Sequence, residues 1–95
     1  MNKDTIVAHN DYELKPVGTE NMLFSNDSDV ILILNDFGKD ILEFLSEQGS
    51  VSIGSIILHF SALVNIETSV LEADIISFLR VVITNGFVRI VTKKT

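Results

Sequence analysis

Few side chains in this 95-residue chain could take part in catalysis. Its two histidines, His9 and His59, have no serine or acid at the spacing of a catalytic triad and belong to no metal-ligand motif. Closely spaced acids occur in a predicted turn and at a predicted helix start: Asp27 with Asp29, and Asp36 with Asp40. Acids in such positions ordinarily cap backbone N–H groups and interact with the helix dipole. The sequence therefore predicts a protein that is not an enzyme and that holds no metal or cofactor.

Backbone hydrogen bonding is the chemistry that the segment DVILILND, residues 29–36, could supply. Five aliphatic residues follow one another in it: Val30, Ile31, Leu32, Ile33 and Leu34. A strand with one face on a core and one in water alternates apolar and polar residues, whereas this strand is apolar on both faces. Alternation places Ile31 and Ile33 on one face and the other three on the opposite face, without deciding which set enters the core. We expect something besides the protein's own core to cover the remaining face.

The predicted secondary structure that positions these residues changes from strands to helices at Asn35. Before it the sequence predicts short strands at 5–9, 12–14, 22–24 and 30–34, with a turn at 15–18. After it apolar residues recur at helical spacing: Phe37, Ile41, Phe44 and Leu45. Asn35 or Asp36 can cap this first helix, and Gly49 can end it in the left-handed conformation. Helix one is thus expected to follow the aliphatic strand almost without a loop.

Two further helices and a last strand are predicted. The second helix begins near Ser52 as its N-cap and has one apolar face: Ile53, Ile56, Ile57, Phe60 and Leu63. The third begins at Ser69, which has the capping-box spacing to Glu72, and stops at Asn85 and Gly86. Its apolar stripe comprises Leu71, Ile75, Phe78, Leu79 and Val82. Residues 87–91 are expected to form a short strand.

This order of elements predicts an α+β, winged helix-turn-helix-like fold with an N-terminal three-stranded antiparallel sheet followed by three helices. We expect a single domain over residues 1–95: a strand and turn segment (1–21), a hairpin (22–34), three helices (36–85) and a short strand (87–91). Winged helices commonly bind DNA, but the third helix carries Arg80 as its one basic residue, with Glu72 and Asp74 against it. Direct DNA binding is therefore not expected.

The composition also argues against nucleic-acid and membrane partners. Seven Lys and Arg against thirteen Asp and Glu give a net charge of −6, whose field repels phosphate backbones and anionic lipid. The uncharged stretch 48–66 contains too many polar residues for a membrane span. With no cysteine and no signal-peptide pattern, a cytoplasmic location is expected. The apolar fraction of 46% leaves three explanations open: a tightly packed core, a homodimer, or a surface groove kept for a partner.

Several segments of the chain, taken in order, resemble the PqqD-like family. They are Ile33-Leu34-Asn35, Gly38 and Ile41-Leu42 in LNDFGKDILEFL, then VSIGSI at 51–56, then Asp74-Ile75 with Phe78-Leu79 in ADIISFLRVVITNGFV. The resemblance covers roughly residues 22–88. Members of this family are small peptide-binding domains, the recognition elements (RREs) for precursors of ribosomally synthesised and post-translationally modified peptides (RiPPs). The resemblance therefore implies a non-catalytic domain of RiPP biosynthesis.

The resemblance further implies how such a domain works. The leader region of the precursor peptide would add a strand to the third strand of the sheet, with its side chains in a groove between that strand and the third helix. The peptide-binding residues expected on this basis are Val30, Ile31, Leu32, Ile33, Leu34, Asp74, Ile75, Phe78, Leu79, Arg80 and Val82. The domain would deliver the peptide to a separate modifying enzyme or leader protease, and no cofactor is implied.

Asp74 indicates a groove independently of the resemblance. It lies three residues after Leu71 and four before Phe78, so its carboxylate falls on the apolar stripe, where an ionised group should be paired or at a groove rim. Either it meets a basic side chain or an N–H group of the leader, with Arg80 pairing leader acids, or it pairs within the protein with Arg80 or a lysine. Both interpretations stay open.

Two functions of other classes remain as alternatives. A winged-helix DNA-binding regulator would need a basic face that the sequence does not show. A small homodimeric adaptor would pair residues 30–34 with their copy across a two-fold axis. The homodimer is compatible with peptide binding, because an unoccupied edge strand can pair with itself.

Overall fold

Two three-stranded antiparallel sheets and three helices make up the fold in the computed structural model, which describes residues 1–26 and 28–91. The elements in chain order are β1 Ile6–His9, β2 Glu13–Val17, β3 Glu20–Phe24, β4 Leu32–Leu34, α1 Asp36–Gln48, β5 Ser50–Ser52, α2 Ile53–Ser61, α3 Thr68–Thr84 and β6 Val88–Val91. The predicted α+β, winged helix-turn-helix-like fold is confirmed. Asp27, one of the paired acids noted in the sequence, lies outside the described residues.

The first sheet has the strand order β2-β3-β4. Strands β2 and β3 form a hairpin whose register pairs Val17 with Glu20, so the turn consists of residues 18–19 and not 15–18 as the sequence suggested. Gly18 has a φ of +63°, a left-handed conformation that favours glycine and suits a two-residue hairpin loop. Strand β4 pairs antiparallel with β3, with Met22 opposite Ile33.

The second sheet, in the order β5-β1-β6, combines strands from the start, the middle and the end of the described chain. Strand β1 does not pair with the β2-β3 hairpin that follows it. It pairs with β6 on one side and with the short β5 on the other. The final strand expected at 87–91 is confirmed as β6. Strand β5 was missed because Ser50-Val51-Ser52 has the composition of a turn and an N-cap and only one apolar residue.

Local caps define the first two helices as predicted. The Asn35 side chain accepts a hydrogen bond from the Gly38 backbone N–H at 2.9 Å, and the Gly49 N–H donates to the Leu45 carbonyl at 2.9 Å, with φ of +78°. The Ser52 hydroxyl accepts from the Ser55 N–H at 3.2 Å at the start of α2. These bonds join residues three or four positions apart, which is why they are readable from the sequence.

Two details of the helix predictions are wrong. The capping box of Ser69 and Glu72 does not form, because α3 begins at Thr68 and the Leu71 N–H already donates to the Glu67 carbonyl at 3.0 Å. Leu63 does not join the buried face of α2, because that helix ends at Ser61 and the chain then carries the Leu63 side chain into solvent, 67% exposed.

One hydrophobic core lies between the helices and the inner faces of both sheets. Helix α3 contributes its central stripe, which is fully buried: Leu71, Ile75, Leu79 and Val82. Helix α1 contributes Ile41, Leu42 and Leu45, and the sheets contribute Val7, Leu23, Leu34 and Val88. At about 1.5–3 kcal/mol for each large aliphatic side chain removed from water, this burial is the main source of stability.

Candidate functional site

Strand β4 has an open edge. It is the last strand of its sheet and pairs with β3 alone among the described residues. The backbone N–H and C=O groups on its other side therefore have no strand partner in that part of the chain. Such an edge can bind an extended peptide through main-chain hydrogen bonds.

Only Leu32–Leu34 of the predicted strand 30–34 is a strand, but side chains alternate between two faces along the whole segment. Leu34 is buried and Val30 and Leu32 are half-buried against the core, while Ile31 and Ile33 are 58% and 56% exposed. The question that the sequence left open is thus decided: the odd-numbered isoleucines face outward. Exposed isoleucines beside an open edge form an apolar surface that a bound strand could cover.

A polar cluster fixes the end of β4 where it joins α1. The buried Asn21 amide donates to the Leu34 carbonyl at 3.4 Å and to an Asp36 carboxylate oxygen at 3.2 Å. Asn35 caps α1 in the next position. These bonds hold the strand edge in place before any ligand binds, which reduces the entropy that binding would cost.

Helix α3 contacts the start of α1, just after this segment. Near the start of α1, the Phe78 ring packs so closely on Gly38 that a Cβ added to the glycine would be 2.9 Å from Phe78 Cε1. At the other end, Val30 lines the same cleft of about 1030 Å³ as Thr84 and Asn85. The second half of α3 thus contacts the start of α1 at Gly38 and borders the same cleft as Val30.

The helix residues proposed from sequence are divided between core and surface. Ile75, Leu79 and Val82 are 0% exposed, so they support the core and cannot contact a surface peptide without moving. Phe78 is half-buried at the edge of the core, and Asp74 is exposed. At about 100° per residue, Asp74 lies roughly 40° around the helix from Phe78. These two residues are the ones that remain available to the groove.

Arg80, which was proposed from sequence, and Val81, which was not, lie on different sides of α3. Arg80 is exposed but lies about 160° around the helix from Phe78, on the side away from the groove. Val81 is 48% exposed and lies about 60° around the helix from Phe78, on the same side as Asp74. Val81 is an exposed apolar residue that the sequence prediction did not include, although its helical position next to Phe78 was the available signal. No ion pair joins Asp74 to Arg80 or to a lysine within residues 1–26 and 28–91.

The surroundings of the edge are acidic. A hollow of about 240 Å³ at the end of β4 is lined by Ile33, Glu20 and Asp36, among others. Asp29 is exposed just before the segment. Acids at both ends of an apolar edge favour a ligand with apolar side chains in its middle and basic groups outside it.

Across the part of the chain that the structure describes, no three His, Asp or Glu side chains are grouped to hold a metal ion. His9 stacks edge-on with Tyr12, and His59 stacks on Phe44, so both are accounted for by packing. Among the same residues no helix is long and apolar enough to cross a membrane.

Fold and site together define a small winged-helix-like α+β domain with an open strand edge beside its third helix. A family profile described as coenzyme PQQ synthesis protein D (PqqD) matches residues 9–88, and the chain belongs to the PqqD family. The resemblance noted in the sequence is confirmed.

A solved structure described as TbiB1 in complex with the TbiA(beta) leader peptide has the same fold. Its TM-score is 0.70 at 18% sequence identity, over 93% of this chain and 99% of that chain. No curated protein matches the sequence. At this identity the likeness establishes the architecture, and the binding partner named with it is that of TbiB1.

Proposed function

We propose that this protein recognises the leader region of a ribosomally synthesised precursor peptide and holds it as an added strand on β4. The observation that carries the proposal is the open β4 edge with exposed Ile31 and Ile33, beside Phe78 of α3, in a member of the PqqD family. The structural neighbour TbiB1, which was solved with a leader peptide, supports it.

The binding chemistry follows from strand addition. Main-chain hydrogen bonds to residues 31–34 supply affinity for any extended peptide, and alternate leader side chains contact the apolar surface. Ile31 and Ile33 receive apolar residues on the outer face, and Phe78 with Val81 receive those that point toward α3. Asp74 and Asp36 then select basic leader residues at the borders of the groove.

The protein's part in maturation is non-catalytic on this proposal. Capture of the leader keeps the remainder of the precursor near a modifying enzyme or leader protease and raises its effective concentration there. This mechanism needs no cofactor. It needs a second surface that contacts the enzyme while the leader is bound.

Substitution of one outward isoleucine tests the site. We expect Ile33→Asp to weaken leader binding at least tenfold, because an apolar contact of about 1.5–3 kcal/mol is replaced by a carboxylate without a partner. The matched control is Val17→Asp on β2, the opposite edge of the same sheet, where the side chain is 51% exposed. The measurement is fluorescence anisotropy with the labelled N-terminal half of a precursor encoded beside the gene.

Amide hydrogen exchange tests strand addition separately from binding. We expect bound leader to slow exchange at residues 31–34. The proposed site would be contradicted if Ile33→Asp and Val17→Asp bound the leader with equal affinity. It would also be contradicted if the leader slowed amide exchange elsewhere but not at residues 31–34. If no precursor peptide encoded beside the gene binds the protein, leader recognition itself is contradicted.

Self-pairing is a second candidate, favoured by the same exposed edge. Two copies could join their β4 strands antiparallel across a two-fold axis and cover Ile31 and Ile33 in each. Light scattering over a dilution series distinguishes the two, because a dimer of this kind should dissociate when leader peptide is added.

A further inference from the structure

A second surface with its own chemistry lies where α1 meets α2. The Phe44 ring stacks on the His59 imidazole with centroids 4.1 Å apart and planes 17° from parallel, and both rings border Phe60. They line a hollow of about 180 Å³ together with the exposed Leu63. We call the set Asp40, Glu43, Phe44, Glu47, His59 and Leu63 the acidic-aromatic surface.

Three acids of α1 border this hollow on one side. Asp40, Glu43 and Glu47 follow one another at helical spacing and are all exposed. One ion pair reduces their charge, between Lys39 Nζ and Glu43 Oε1 at 3.8 Å, and both side chains are solvent-accessible. A pair of this kind contributes little, so the border stays strongly negative.

Local stability does not account for these acids. Like charges three or four positions apart destabilise a helix, and Glu47 lies in the last turn of α1, where the helix dipole is negative and no basic residue is present. Departures from local preference are expected at functional or strained sites. The exposed Leu63 adds an apolar side chain beside these acids.

The acidic-aromatic surface is separate from the β4 edge. On α1, Asp40 lies about 160° around the helix axis from Gly38, the residue that faces Phe78 and the proposed leader groove. The two surfaces therefore lie on opposite sides of α1 and can be occupied at the same time.

We propose that the acidic-aromatic surface docks a protein partner through an amphipathic helix with basic side chains around an aliphatic or aromatic anchor. The anchor would enter the hollow between Phe44, His59 and Leu63, while Lys or Arg residues face the acids of α1. Identification of this partner as the enzyme that acts on the bound peptide rests on the proposed function. The basic, amphipathic chemistry of the partner rests on the surface alone.

A synthetic 18-residue amphipathic helix of Lys and Leu serves as the probe, with the same helix built from Glu and Leu as its counterpart. We expect saturable binding of the Lys-Leu helix to the full chain and none of the Glu-Leu helix. NMR shift changes should centre on residues 40–47 and 59–63. The double variant Glu43→Lys with Glu47→Lys should weaken binding at least tenfold.

Two controls separate this surface from general charge and from the leader site. Asp4→Lys with Glu13→Lys makes the same change in net charge at exposed residues outside α1 and α2, and should alter affinity less than twofold. Leader binding, measured by anisotropy, should be unchanged in the Glu43 and Glu47 variant. The variant loses the exposed Lys39–Glu43 ion pair but places a cation in the last turn of α1, where the helix dipole is negative, so its melting temperature should change little.

The proposal is overturned if the Lys-Leu helix does not bind, if both double variants bind it equally, or if the shift changes centre on residues 30–34. Loss of helix binding with intact leader binding supports a separate docking surface. If Ile33→Asp loses leader binding but still binds the Lys-Leu helix, the two surfaces are independent, as both proposals require.

Discussion

At the scale of single residues, Gly38 and Phe78 connect the core to the proposed leader groove. Glycine inside a helix ordinarily costs about 1 kcal/mol relative to alanine. Here the Phe78 ring takes the space that a Cβ would need, since the two would be 2.9 Å apart. The glycine thus lets the Phe78 ring contact α1 at the border of the groove.

A double-mutant cycle tests that contact. Gly38→Ala alone should lower the free energy of unfolding, because displacement of Phe78 costs about 1–3 kcal/mol and exceeds the gain in helix propensity. In a Phe78→Leu background the same substitution should raise stability by about 0.5–1 kcal/mol. Urea denaturation of the four proteins measures the coupling. Additive effects would mean that the ring does not restrain the glycine.

At the scale of elements, the junction of β4 and α1 depends on one cap. Asn35→Ala should cost about 1 kcal/mol, because the Gly38 N–H loses its side-chain acceptor at 2.9 Å. Ser46→Ala, at an exposed position of the same helix, is the control and should change stability by less than about 0.5 kcal/mol. Thermal denaturation followed by circular dichroism gives both values. Since Asn35 directly follows the proposed edge, its loss should also speed amide exchange at residues 32–34.

At the scale of the whole molecule, Tyr12 ties the N-terminal segment to α1. Its hydroxyl donates to the Leu42 carbonyl at 3.1 Å. Burial raises the pKa of Tyr12 to about 12 from its ordinary 10.0, and the nearby Glu43 carboxylate adds to the rise. A pKa raised by folding means that the folded state favours the protonated phenol.

The consequence is a loss of stability at alkaline pH. The contribution of Tyr12 is fully present below pH 10, the unfolded pKa, and disappears as pH rises through that of the folded state, about 12. The urea midpoint should therefore fall between these limits more in the native protein than in Tyr12→Phe. Because the chain has one tyrosine and no tryptophan, absorbance at 295 nm reports this phenol directly. Identical pH dependence in both proteins would contradict the assignment.

Local interactions were readable from the sequence alone. The ends of α1, the start of α2 and the stop at Gly86 depend on hydrogen bonds between residues at most five positions apart, and each has a characteristic residue type. The α+β class and the aliphatic segment 30–34 follow from periodicity and order in the same way. The family resemblance rested on these same short segments.

Long-range pairing decided the rest. Strand β1 joins β6 across about eighty positions, and no local pattern distinguishes that partner from the neighbouring hairpin. Leu32 and Leu34 pack against the core, so Ile31 and Ile33 face outward. Ile75, Leu79 and Val82 are buried in the core and therefore do not line the proposed groove. Which apolar side chains remain for a ligand depends on how the helices pack, because burial is a property of the assembled core and not of the residue types that form it.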